Sequence, residues 1–384
     1  MGRPQLRKDT DMSHPAGIGS VKPVNWAYDR APMIIYWELT TACGLACRHC
    51  RATAQPDPAP GELTTDEALG VLDEFAGFGS PAPHVIFTGG DPMRRGDLDQ
   101  LIAAANQRGL GVSLAPAVTP LLSAQRLKDL KALDVQAISL SLDGSTAAHH
   151  DGIRQVPGTF DATMTALADA NAAGVPVQIN TLVTDETAKD LDDVYELLKN
   201  YDVMQWSLFF LISVGRGAQL RELTPGDAER TLIKWGRIGR TSPFRIKTTE
   251  AMQYRRINAQ AMMHAGKTRE DVENSPAARG FGIRDGNGIV FISHLGEVMP
   301  SGFLPLSVGN VKDRSIVELY RDTELMRQLR RPEEFKGRCG VCEFDRWCGG
   351  SRARAYAWTG DPLASDPLCP YVPEKMREHD LSVA

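Results

Sequence analysis

The 384-residue sequence is conspicuous first for what it lacks. It contains no run of about eighteen apolar residues, the length a helix needs to span a bilayer, which excludes a membrane-crossing helix. Its first residues, Met1-Gly-Arg-Pro-Gln-Leu-Arg-Lys-Asp-Thr10, are polar and lack the apolar stretch of a secretion signal. A cytoplasmic protein without a membrane partner is therefore expected. An excess of positive charge is missing as well: 43 Lys and Arg stand against 48 Asp and Glu, a net charge of −5. Nucleic-acid binding usually needs a clearly basic face, so no nucleic-acid partner is expected. There is no low-complexity tract and no fixed-period repeat. Cysteine, finally, is absent from the whole stretch between Cys50 and Cys339, although the chain has seven.

Those seven are clustered. Cys43, Cys47 and Cys50 form one group; Cys339, Cys342 and Cys348 form another, with Cys369 following. An odd number of thiols in a large, reduced protein argues against a disulfide framework and for metal ligation. The first group, Cys43-Gly-Leu-Ala-Cys47-Arg-His-Cys50, places three thiolates on a short loop. They can hold three corners of a cubane iron–sulfur cluster, leaving one iron open, because such a cluster takes four ligands. A structural zinc would need a fourth protein ligand nearby. His49 lies between the cysteines, but too close in sequence to Cys50 to share one tetrahedron comfortably. The second group supplies four thiolates, enough for a closed cluster or a structural zinc, and its spacing does not choose between them.

Around the first group the pattern is one of alternating strands and helices. Met33–Thr40 reads as a β-rich run that ends at the cysteine loop. Thr64 and Glu67 have capping-box spacing at the start of a helix. Short strands are expected over His84–Thr88, Leu110–Ala115, Val135–Asp143, Val175–Val183 and Met204–Ile212. Helices are expected over Asp97–Gly109, Ser123–Leu133, Thr159–Ala173, Leu191–Asn200 and from Thr224-Pro225 onward. Six such strands predict an α/β fold, a partial (β/α)6 TIM-like barrel over residues 31–240. Residues 1–30 read as a Pro- and Gly-containing lead-in. After about residue 240 the alternation stops; Gly288–Met299 reads as a β-hairpin turning at Leu295-Gly296, and residues 241–384 are taken as a linker and a small C-terminal metal-binding segment.

In barrels of this kind the chemistry sits on the loops after the strands. The cysteine loop, Gly89-Gly90-Asp91-Pro92 and Ser139-Leu-Ser141-Leu-Asp143 all fall at such ends. Ser139, Ser141 and Asp143 alternate and so share one face, which suggests either ligand contact or a satisfied polar core. Asn180 and Gly215-Arg216-Gly217 are weaker candidates. Glu250, Tyr254 and His294 are titratable but read first as surface or core groups.

The Cys-x3-Cys-x2-Cys spacing, with the aromatic His49 before the third cysteine, resembles the radical S-adenosylmethionine (SAM) superfamily. That resemblance implies a [4Fe–4S] cluster on Cys43, Cys47 and Cys50 whose open iron is chelated by SAM, and reductive cleavage of SAM to a 5′-deoxyadenosyl radical. Gly89, Gly90 and Asp91 resemble the turn that approaches the SAM amino group, and Arg154 resembles the arginine set on its carboxylate. The tail resembles the twitch/SPASM extension, which implies a second [4Fe–4S] cluster on Cys339, Cys342, Cys348 and Cys369. Serine stands at 301 and 351 where fuller versions have cysteine, so the thiols divide as three plus four. Tyr36-Trp-Glu-Leu-Thr-Thr41, Val156-Pro-Gly-Thr-Phe160 and Arg352-Ala-Arg-Ala-Tyr356 resemble the haem b synthase and haem d1 branch. The implied function is oxidative modification of a small organic substrate such as a tetrapyrrole, with a flavodoxin- or ferredoxin-type electron donor. A peptide maturase is the alternative, though about thirty residues before the barrel leave no room for a peptide-recognition domain; a non-catalytic zinc scaffold is a remote third.

Overall fold

The computed structural model describes residues 26–381. The lead-in expected over residues 1–30 therefore lies largely outside the described residues. Seven strands follow one another through the first two-thirds of the chain: β1 (Ile34–Glu38), β2 (His84–Thr88), β3 (Val112–Leu114), β4 (Ala137–Ser141), β5 (Val177–Val183), β6 (Gln205–Phe210) and β7 (Arg245–Thr249). All are parallel to their neighbours, with helices in the crossovers. The expected caps are in place. Thr64 and Glu67 close a capping box on the helix Thr65–Glu74, and Ser123 and Thr224 cap theirs.

The tail contributes β8 (Arg284–Asp285), β9 (Gly288–Ile292), β10 (Glu297–Met299) and β11 (Gly309–Asn310). β9 and β10 form the hairpin the sequence predicts. Its place is a surprise, because β9 lies parallel to β1 on the edge opposite β2, with Tyr36 beside Phe291. The barrel sheet thus runs β9-β1-β2-β3-β4-β5-β6-β7, two parallel strands more than the sequence pattern predicts. Both extra strands come from beyond residue 240.

The two faces of this sheet differ in chemistry, and that difference positions the site. Residues such as Ile35, Trp37, Phe87, Leu140, Trp206 and Leu208 are fully or almost fully buried in the apolar layer outside it. The alternate residues face the interior and are largely polar. There Gln178 bonds Asn180 at 2.6 Å and Gln205 at 2.5 Å, His84 meets Ser113 at 2.8 Å, and the Ser207 and Thr249 hydroxyls lie 3.0 Å apart. An apolar core would fill such a barrel; a polar lining leaves it suited to a ligand.

Candidate cofactor and substrate site

The loop that leaves β1 folds back on itself: Cys43 N donates to Gln55 O at 2.7 Å, and Cys50 N to Cys47 O at 3.2 Å. Three thiols are thereby gathered close enough to feel one another's charge, with Cys43 and Cys47 buried. Burial pushes the Cys43 thiol up to about 11, and the Asp91 charge adds to this. Backbone amides already point at the sulfurs, Leu45 N at Cys43 and Ala54 N at Cys50, both at 3.4 Å.

Gly89-Gly90-Asp91, leaving β2, is pressed against this loop. Gly90 N donates to Thr40 O at 2.8 Å and Asp91 N to Ala42 O at 2.7 Å. A Cβ on Gly89 would stand 2.4 Å from Thr40 O, and one on Gly90 2.4 Å from both Thr41 O and Ala42 O. Only glycine fits here. The Asp91 side chain is fully buried and accepts from Met93 N at 3.1 Å, Ala117 N at 3.3 Å and the Thr119 hydroxyl at 3.1 Å. Burial raises its carboxyl despite these bonds. Asp91 thus holds the turn from inside, and what the turn presents outward is backbone.

Arg154 ends a helix, Ala147–Arg154, that the sequence pattern does not announce. It is far from a solvated surface arginine. Its guanidinium lies 2.6 Å from Asp143 and donates to the Cys47 sulfur at 3.6 Å. Burial, the largest single influence, would raise the Asp143 carboxyl, but the charges of Arg154, His49 and His150 and the hydrogen bond from Leu182 N together hold the group below the usual carboxylate range. Arg154 Nε and His49 Nδ1 are both buried without a hydrogen-bond partner. Burial, helped by Arg154, lowers His49 to about 4, so its ring is neutral near pH 7. After β6, Gly215-Arg216-Gly217 braces the same loop: Arg216 Nε donates to Cys47 O at 2.9 Å and its backbone N to Cys50 O at 3.0 Å. Ser141 and Asn180 lie beside each other in register on the interior face.

Sequence reasoning passed over Glu38 and Arg51 and set His294 aside. Glu38, at the end of β1, is 2.8 Å from Arg51 and 2.6 Å from His294. Arg51 in turn stacks on Phe291, 4.5 Å from the ring centre. The one signal was an acidic residue inside the β-rich run before the cysteines.

In the tail, Cys339, Cys342, Cys348 and Cys369 line a single small cleft. Burial drives the Cys342, Cys348 and Cys369 thiols up to about 12 each. Arg352 Nη2 and Asp366 N donate to the Cys339 sulfur at 3.5 and 3.4 Å. Ser301 and Ser351 are not among the cleft's lining residues. Ser301 accepts from Phe303 N and Leu304 N, while Ser351 caps the helix Arg352–Thr359 and donates to Glu250 at 2.5 Å. Glu250 has a left-handed φ of +57°, and burial, with the Asp285 charge, pushes its carboxyl up.

The donor sets can be tested against the cofactors. Among the described residues no three Cys, His, Asp or Glu side chains converge as the ligands of a single metal ion would. A [4Fe–4S] cluster takes thiolates, the donors that both groups supply. Beside the first, unpartnered Arg154 Nε and His49 Nδ1 offer a cation and a neutral ring to an incoming anionic, polar molecule.

The family model of the radical SAM superfamily matches residues 37–198. The chain is 40% identical over 345 residues to the AdoMet-dependent heme synthase of Nitratidesulfovibrio vulgaris, covering 89% of this chain and 93% of that one. With the protein of the same name from Methanosarcina barkeri it shares 38%, over 91% of this chain and 99% of the relative. Among solved structures, Streptococcus suis SuiB bound to S-adenosylmethionine matches with a TM-score of 0.68 at 14% identity, covering 88% of this chain and 77% of SuiB. That likeness concerns the fold.

Proposed function

This chain belongs to the radical SAM superfamily, and on that footing we propose that it oxidatively modifies an acidic tetrapyrrole, removing carboxyl groups from its side chains. The observation that carries this reading is the 40% identity to a heme synthase over 89% of the chain, barrel and tail alike. As an enzyme of this superfamily it uses a [4Fe–4S] cluster and SAM, which together supply one-electron cleavage of a sulfonium and thus a hydrogen-atom acceptor.

In this reading Cys43, Cys47 and Cys50 hold the cluster. The backbone at Gly89 and Gly90 lies against the SAM amino group, with Asp91 fixing the turn. Arg154 takes the SAM carboxylate through its free Nε, held in place by Asp143, while His49 and Ser141 line the cofactor's seat. Arg216 keeps the cluster loop folded by binding its carbonyls. Cys339, Cys342, Cys348 and Cys369 hold a second, fully ligated [4Fe–4S] cluster, and a flavodoxin- or ferredoxin-type protein delivers the electron. Residues 31–240 then form the catalytic barrel and residues 241–384 the segment that carries the second cluster. Among the described residues no helix is long and apolar enough to cross a membrane.

The test is direct. Anaerobically reconstituted protein is given dithionite, SAM and Fe-coproporphyrin III, and the porphyrin is followed by mass spectrometry. The expected product has lost carbon dioxide and two hydrogens for each propionate converted to vinyl. If 5′-deoxyadenosine accumulates while the porphyrin stays unchanged, the tetrapyrrole reading fails and the superfamily assignment does not.

A further inference from the structure

Cations facing the barrel interior are for the most part already matched by an acid: Arg51 by Glu38, and Arg154 by Asp143. Lys247 is not. It sits in the middle of β7, in register with Ser207, whose hydroxyl meets that of Thr249 on the interior face. Its predecessor Ile246 packs into the apolar layer outside the sheet, so the alternation of a strand turns Lys247 inward. The side chain is half-buried, and among the described residues its ammonium makes no hydrogen bond or ion pair. The polar residues paired around it on β5 and β6, Asn180 and Ser207, are neutral. The charge that reaches it most strongly is another cation, Arg245, two residues earlier on the same face.

Burial and the Arg245 charge together pull the Lys247 ammonium down to about 8, and no carboxylate opposes them. An ammonium withdrawn from water without a counter-ion is unfavourable, and the structures that keep one generally bring it a partner. Here the protein supplies none, whereas the substrate argued for above is a polycarboxylate. We infer that Lys247, backed by Arg245, is a seat for one carboxylate of the substrate inside the barrel, which fixes how the ring is presented to the cofactor. The inference rests on the tetrapyrrole reading for the identity of that acid; the unpaired interior cation itself is independent of it.

Lys247→Met, Lys247→Glu and Lys247→Arg test it in the reconstituted holoenzyme, with Fe-coproporphyrin III as the probe and its absorbance as the readout. A hydrogen bond to a charged group corresponds to about 10- to 100-fold in affinity, so Lys247→Met should weaken binding by that factor. Lys247→Glu should weaken it further, and Lys247→Arg should recover most of it; a role in folding alone would not follow this order of charge. Circular dichroism checks that all three variants are folded. If the wild type binds the porphyrin and Lys247→Met binds it equally well, the seat is wrong and the tetrapyrrole reading survives. If the wild type does not bind the porphyrin, the reading fails and the seat falls with it.

Discussion

Glu38 is only 3% exposed, yet its carboxyl is held below the usual carboxylate range. Burial alone would raise it; the hydrogen bond from His294 and the Arg51 charge win. A carboxyl whose folded pKa is depressed contributes stability that is present above its unfolded value, about 4, and is lost as the pH falls through the lower folded value. Glu38→Gln should therefore unfold at lower urea than the wild type near pH 6, by roughly 2–4 kcal/mol, because Arg51 is left without its acid. The gap should begin to narrow as the pH falls below about 4, where the unfolded chain starts to protonate and the wild type's advantage is lost. Urea midpoints at each pH check this, and a gap that does not change as the pH falls below about 4 would show that the pair does not carry the effect. No sequence pattern announces this triad, since His294 is 256 residues from Glu38 and reaches it only through the docking of β9 on β1. Arg154 is the opposite case. It could be assigned from the motif it resembles, but its pairing with Asp143 depends on a helix that the apolar periodicity does not reveal.

Among the elements, the tightest constraint is the glycine turn after β2. Gly90→Ala would place a methyl 2.4 Å from two backbone carbonyl oxygens, Thr41 O and Ala42 O, where the cysteine loop begins, atoms that cannot swing aside like a side chain. Gly96, a few residues on, has nothing within 4 Å of the corresponding position. Gly90→Ala is expected to cost about 1–3 kcal/mol and to abolish SAM-dependent 5′-deoxyadenosine formation, while Gly96→Ala stays near wild type in both. Equal activity in the two variants would mean that the turn does not pack against the loop. The turn was legible because its two glycines follow a strand that reads plainly. The first six strands were legible in the same way, since each carries an apolar face bounded by turn residues. β7 was not, because Arg-Ile-Lys-Thr-Thr has a single strongly apolar residue. Its interior face bears cations and hydroxyls in place of the apolar residues that usually mark a barrel strand. A strand that lines a polar cavity loses the hydrophobic signal that would identify it.

At the scale of the whole molecule, the tail both gathers four thiols in one cleft and forms a wall of the barrel. β9 extends β1, the Tyr320 hydroxyl donates to Tyr28 O at 2.5 Å, and Glu74 accepts from Ile316 N at 2.8 Å. The hairpin could be read from sequence, but its partner strand could not, because pairing at that separation leaves no local trace. The two thiol groups sit in different parts of the fold: the first in loops of the barrel, the second in a cleft lined wholly by residues beyond position 250. Cys342→Ala should therefore leave the fold and the first site standing. The two cubanes proposed above correspond to about eight irons per chain, so on that proposal the variant should fall to about four after anaerobic reconstitution. It should also lose the paramagnetic signal of the second cluster, and keep part of its uncoupled SAM cleavage. Iron and sulfide analysis with electron paramagnetic resonance decides the matter. A count that stays near eight would remove Cys342 from the ligand set, and a count near zero would mean that the second cluster is needed to build the first.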